Sequence, residues 1–145
     1  MRKKSHLSLA GYIVDVVDAD MIDHPLAFRF GSLEPDLVPS FITTKHRIDL
    51  TFHKLEKKIN KVIDEYDKNK GMTIGLSKDL GVITHYIADY FTYPHNSHYP
   101  GNIKDHCHYE NHLKHGLRAY IRSGEAVFGG AGYKRSFSTA DEMLE

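Results

Sequence analysis

Two pairs of side chains carry ligand chemistry at helical spacing: His85 with Asp89, and His106 with Glu110. At i, i+4 on a helix, two side chains stand one turn apart on one face, about 6 Å along the axis, and can reach the same ion. The chain holds 11 His and 19 acidic residues among its 145, so isolated pairs of this kind arise by chance, and a surface helix pair is the plain alternative. The neighbourhood is more informative. His85-Tyr-Ile-Ala-Asp89-Tyr-Phe-Thr-Tyr-Pro-His95 places three ligand-type side chains at the end of an apolar segment. His85 and Asp89 lie beside the stripe of Leu80, Ile83 and Ile87. A bare polar group facing a core is costly, so the two are expected to be bonded to each other or to a metal. Upstream, Asp36 sits in a loop between Pro35 and Pro39, and His46 opens a helical segment.

The elements that must position these residues are helical. Leu7, Leu9, Tyr12, Ile13, Val16 and Val17 predict a first helix within 4–19. From 20 to 45, Pro25, Gly31, Pro35 and Pro39 predict a short helical turn followed by an extended loop. Ile48, Phe52, Leu55, Ile59, Val62 and Tyr66 repeat at three and four, with lysines on the other face, and predict a long amphipathic helix over 44–67. Lys68-Asn69-Lys70-Gly71 has the composition of a helix stop. A further helix is expected over 73–92, closed by Pro94, then a loop over 94–104 and a last helix over 105–122. The tail from Ser123 contains Gly129-Gly130-Ala131-Gly132 and has little periodicity. Residues 1–145 therefore read as one all-α domain of four or five helices.

Composition narrows the function. Lys plus Arg equals Asp plus Glu at 19 each, which argues against a nucleic-acid coat protein or a polybasic membrane anchor. One cysteine excludes an intramolecular disulfide and a multi-Cys zinc cage, so metal would be held by nitrogen and oxygen. No signal peptide and no segment of about 20 apolar residues is evident, and the expectation is a soluble, cytoplasmic protein without stable membrane insertion.

The order His6, Asp36, His46, His85-x-x-x-Asp89-x-x-x-x-x-His95, His106-x-x-x-Glu110 resembles the bacterial zinc-dependent phospholipase C family and the related single-strand-specific nucleases. The segment Gly81-Val-Ile-Thr-His85 through Pro94-His95-Asn96 carries the strongest match, and Gly31-Ser32 through Pro35-Asp36 supports it. The resemblance covers roughly His6 to Glu110. It implies a compact multi-helix fold and a zinc cluster. His46, His85 and Asp89 match the ligands of one zinc, with Asp36 as a further ligand and candidate base; His95, His106 and Glu110 match those of a second. His6 matches a ligand of a third zinc, with Asp89 bridging. In the family that third ion is also held by an N-terminal Trp, and this chain contains no Trp.

The residue types fit that chemistry. Imidazole and carboxylate suit zinc, and an open position admits water. Two zinc ions about 3.5–4 Å apart can hold a bridging hydroxide in line with a phosphorus. The implied reaction is hydrolysis of a phosphoester, with a phospholipid as the family-level substrate. A nuclease on the same cluster, and a non-catalytic metal-binding or regulatory domain, are the alternatives. A ferritin-like di-iron bundle is disfavoured by the absence of a Glu-x-x-His pair.

Other residues compete for these roles. His53 lies two turns from His46, and His108 and His112 form a rival pair on the last helix. With His24, His98 and His115, these are read as surface or supporting residues. Cys107 is read as a small buried apolar residue rather than a ligand. Tyr86, Tyr90, Phe91, Tyr93 and Tyr99 are read as packing around the site rather than as a wall for a substrate. The lysines from Lys54 to Lys61 are read as a solvated helix face.

Overall fold

The computed structural model describes residues 1–17, 21–38 and 46–124. Among the described residues it contains five α-helices: α1 (Lys3–Val16), α2 (Pro25–Gly31), α3 (Ile48–Glu65), α4 (Ile74–Tyr90) and α5 (Ile103–Ser123). Short 3₁₀ turns at Glu34–Asp36 and Tyr93–His95 complete the architecture. No strand occurs among the described residues, so the all-α reading holds. The glycine-rich tail lies outside the described residues.

The helix boundaries follow local chemistry. Pro25 takes the first turn of α2, where its missing N–H is not needed. Thr73 caps α4, its hydroxyl accepting the Leu76 N–H at 3.1 Å. Asn102 opens α5 with a reciprocal capping box to Asp105, which starts the helix two residues before the periodicity does. Gly124 closes α5 at φ 73°, the left-handed conformation that glycine adopts without a steric penalty.

Apolar packing is split into two clusters. Leu55 and Ile59 of α3 meet Ile83 of α4, with Val62, Tyr86, Ile87 and Tyr90 against them. Ala10, Ile22 and Phe28 join α1 to α2, with Ile13, Val14, Val17 and Leu80 around them. Between the clusters the interior is polar: His6, His85 and Asp89 are among the largest fully buried side chains. Helices α2 and α4 approach closely because each presents a glycine. A Cβ on Gly31 would lie 2.0 Å from the Lys78 carbonyl oxygen, and one on Gly81 would lie 2.1 Å from that of Phe28.

The lysine face of α3 departs from a purely solvated role. Lys58 and Lys61 reach Asp79 at 2.5 and 2.8 Å. Burial would raise the Asp79 carboxyl, but the two ammonium groups outweigh it and hold the pKa below its usual value.

Candidate metal centre

Three α-helices, two 3₁₀ turns and the segment that enters α3 converge on one polar centre. α4 supplies His85 and Asp89 from successive turns of its buried face, and α1 supplies His6 from its first turns. Asp36 ends the 3₁₀ turn after α2, and His46 stands two residues before α3. None of these five is more than 7 % exposed. The Pro94 turn that stops α4 carries His95, and α5 brings His106 and Glu110, all three half-buried.

The ligand-type atoms form three groups, each within 4.8 Å: His6, His85 and Asp89; Asp36, His46 and His85; and His95, His106 and Glu110. His85 belongs to two of them. Its Nε2 lies 3.1 Å from His46 Nδ1, 3.4 Å from Asp89 Oδ2 and 3.9 Å from Asp36 Oδ1. His46 Nδ1 lies 2.9 Å from Asp89 Oδ2. In the third group, Glu110 Oε1 lies 2.9 Å from His106 Nε2 and 3.5 Å from His95 Nε2.

Backbone carbonyls aim two of the rings. His85 Nδ1–H donates to the Ser32 carbonyl at 2.8 Å, and His95 Nδ1–H donates to that of His46 at 3.1 Å. Each bond fixes the tautomer that leaves Nε2 with its lone pair toward the centre, the arrangement found behind metal-binding imidazoles. His6 stacks on His85 with ring centroids 3.8 Å apart. Its buried Nε2 stands 3.2 Å from Asp89 Oδ1 without hydrogen-bond geometry to any partner. A buried, unsatisfied imidazole nitrogen beside a carboxylate is what a cation site leaves when the cation is removed.

The electrostatics agree. Burial would raise Asp89, but the His46, His6 and His85 imidazoles and the Met1 ammonium hold its carboxyl well below the usual range. Burial likewise opposes the ionised form of Glu110, yet His95, the Met1 ammonium and His106 bring its pKa down to about 2. Both acids are therefore anionic at neutral pH. The Met1 ammonium stands among them, paired with Asp89, 3.3 Å from Glu110 Oε1 and 3.1 Å from His95 Nε2. Burial lowers the pKa of His6, despite the counteracting Asp89, and favours the neutral, ligating form.

The centre is not sealed. A pocket of about 860 Å³ opens over it, lined by Asp36, His46, His95, His106 and Glu110 among others. A structural zinc site is closed, whereas a catalytic one keeps an open position.

The eight sequence-nominated residues are brought together, and the competitors are not. His53, His98 and His115 are exposed and His24 is half-buried. His108 and His112 form their own exposed pair, with rings 4.6 Å apart. Cys107 is a correction: it is exposed, because one step past His106 the helix turns it from the body toward the pocket mouth. The aromatic residues divide. Tyr86 and Tyr90 pack in the core, and Tyr86 lies edge-on to His46 and His85. Phe91 is 87 % exposed and does not pack around the site, whereas Tyr93 and Tyr99 meet edge-on and Tyr99 lies edge-on to His106 while lining the pocket. Sequence reasoning missed Ser32 and the carbonyl of His46, since a backbone acceptor leaves no side-chain signal.

A family model described as zinc-dependent phospholipase C matches residues 5–143, a span that contains all eight residues. No curated protein and no solved structure matches the chain.

Proposed function

The chain belongs to the zinc-dependent phospholipase C family, and from that premise we propose that it hydrolyses phosphoester bonds, with a phospholipid as substrate, at the centre formed by His6, Asp36, His46, His85, Asp89, His95, His106 and Glu110. The observation that carries this reading is the open pocket lined by Asp36 and His46 of one ligand group and by His95, His106 and Glu110 of another, with a third, buried group joined to the first through His85. Asp36, His46, His85 and Asp89 would hold one zinc, and His95, His106 and Glu110 a second. His6 with Asp89 would hold a third. When bound, zinc supplies Lewis acidity and lowers the pKa of water to about 7.

The chain's own groups have distinct tasks. Ser32 and His46 orient His85 and His95 through their carbonyls. Asp36, buried yet lining the pocket, is the base: its carboxylate accepts the proton of the water that adds to phosphorus. The phosphorus–oxygen bond to the leaving group breaks, the departing oxygen takes up the proton that Asp36 received, and a phosphomonoester and the alcohol are released. No described helix is long and apolar enough to cross a membrane.

Metal analysis and a chromogenic phosphodiester test the reading together. The purified protein is expected to carry at least two zinc ions, to lose turnover on chelation and to regain it with zinc. Asp36→Asn is expected to lower turnover by about 10²-fold or more. Fewer than one tightly bound metal per chain would end the metalloenzyme reading; metal without turnover on phosphodiester, phosphatidylcholine or single-stranded DNA would make this a binding domain.

A further inference from the structure

The pocket that opens on the centre is cationic in a way the ligand set does not require. Arg2, Lys3, Lys4, Arg47 and Lys114 line it, and its carboxylates among the described residues are Asp36 and Glu110, both committed to the centre. Arg47 is engaged by Asp49 at 2.6 Å. No carboxylate of the described residues pairs with Arg2, Lys3, Lys4 or Lys114. Arg2 donates to the Cys107 carbonyl and the Asn111 side chain, and Lys114 donates to that same Asn111, all neutral partners that leave the positive charges uncompensated.

Lys3 and Lys4 also violate a local rule. They occupy the first turn of α1, the positive end of the helix dipole, and that turn contains no acid. Cations there are unfavourable by a few tenths of a kcal/mol or more, and local conflicts of this kind are expected at functional or strained sites. The pocket is poorly made for the opposite charge. A quaternary ammonium is recognised by a cage of aromatic faces, and Tyr99 is the one aromatic ring other than imidazole among the described lining residues.

We propose that the phosphoester cleaved here carries a negatively charged headgroup, and that Lys3, Lys4 and Lys114, with Arg2 behind them, select it over a choline headgroup. The proposal rests on the hydrolase reading above and names the substrate class of that site. Headgroup anions beyond the scissile phosphate interact with this rim in both the bound state and the transition state, so the selection acts mainly on KM.

The test uses the zinc-loaded protein and three water-soluble dihexanoyl phospholipids held below their micellar concentration: phosphatidylinositol 4-phosphate, phosphatidylglycerol and phosphatidylcholine. Monomeric lipid removes any contribution from a charged bilayer surface. At low salt, kcat/KM is expected to fall in that order, by about tenfold from first to last, with the gap narrowing at 0.5 M salt as charges are screened. The Lys3→Gln/Lys4→Gln/Lys114→Gln variant is expected to lose about tenfold on the inositol lipid, mostly in KM, and little on the choline lipid. Lys57→Gln, exposed on α3 outside the pocket, controls for net charge and is expected to change neither.

Equal rates on the three lipids, a choline preference, or a triple variant that loses equally on all of them would overturn the proposal. Binding of hydrolysis-resistant phosphonate analogues of the inositol and choline lipids is a second readout. It is expected to give the same order, and it decides headgroup selection even if none of the lipids is turned over, a failure that would count against the hydrolase reading instead.

Discussion

His85 Nδ1–H donates to the Ser32 carbonyl across 2.8 Å, a bond between residues 53 apart in sequence. It joins the helix that bears His85 to the segment that delivers Asp36 four residues later. The bond depends on how near α2 comes to α4, and that approach depends on Gly31 and Gly81.

Gly81→Ala is therefore expected to damage the metal centre without touching a ligand. The new Cβ would meet the Phe28 carbonyl at 2.1 Å and the Ser32 nitrogen at 2.8 Å, contacts that force α2 away. Overpacking of this sort costs roughly 1–3 kcal/mol, and loss of the carbonyl behind a ligating imidazole weakens metal binding by about 10–100-fold. Thermal melting and zinc titration check both; wild-type zinc affinity in Gly81→Ala would refute the link.

His85→Ala and Asp89→Ala are expected to reduce bound metal more than any other single changes, because His85 belongs to two neighbouring groups and Asp89 faces His6 through Oδ1 and His46 through Oδ2. The melting temperature should fall with the metal. Metal content by elemental analysis that is unchanged in both variants would sink the ligand assignment.

Stability at acid pH should report Asp79. Its folded pKa lies below the unfolded value of about 3.9, so its contribution is complete above that value and is lost as pH falls through the folded one. Asp79→Asn is expected to cost about 1–2 kcal/mol at pH 7 and to flatten the stability profile below about pH 4. A variant profile parallel to that of wild type down to pH 2 would contradict the assignment.

His6 sets a second window. Burial lowers its pKa from 6.5, so the folded, metal-free chain keeps it neutral where the unfolded chain protonates it. The sign makes stability present above about pH 6.5 and lost as pH falls below it. Zinc binding should weaken over the same interval, because ligands must be deprotonated. Chemical denaturation of the chelated protein between pH 7 and 5 should show a shallower loss for His6→Asn than for wild type.

Much of this was legible in the sequence where the signal was periodic or local. The three-and-four repeat from Ile48 to Tyr66 marked α3 to within four residues, and the order of His and acid side chains nominated the centre. What escaped notice depends on contacts distant in sequence. The carbonyls of Ser32 and His46 become visible only when helices pack. The place of Lys3 and Lys4 on the pocket likewise becomes visible only when α1 packs against its neighbours. The exposure of Cys107 and the earlier start of α5 at its Asn102 cap were readable in principle. The first needed the phase of α5 relative to His106, and the second needed the capping pattern weighed above the apolar spacing.

Helix α5 contributes His106 and Glu110 yet buries none of its own residues. Polar contacts tie it to the body, among them Arg2 to Cys107 and Asn111, and Arg118 to Ser8 at 3.3 Å. If His95, His106 and Glu110 hold zinc as proposed, such an element would act as a tethered chelator whose docking is thermodynamically linked to that ion. Zinc occupancy and helix docking then become a single equilibrium. Amide exchange along α5 should speed up on chelation more than exchange along α4, making the last helix a gauge of free zinc.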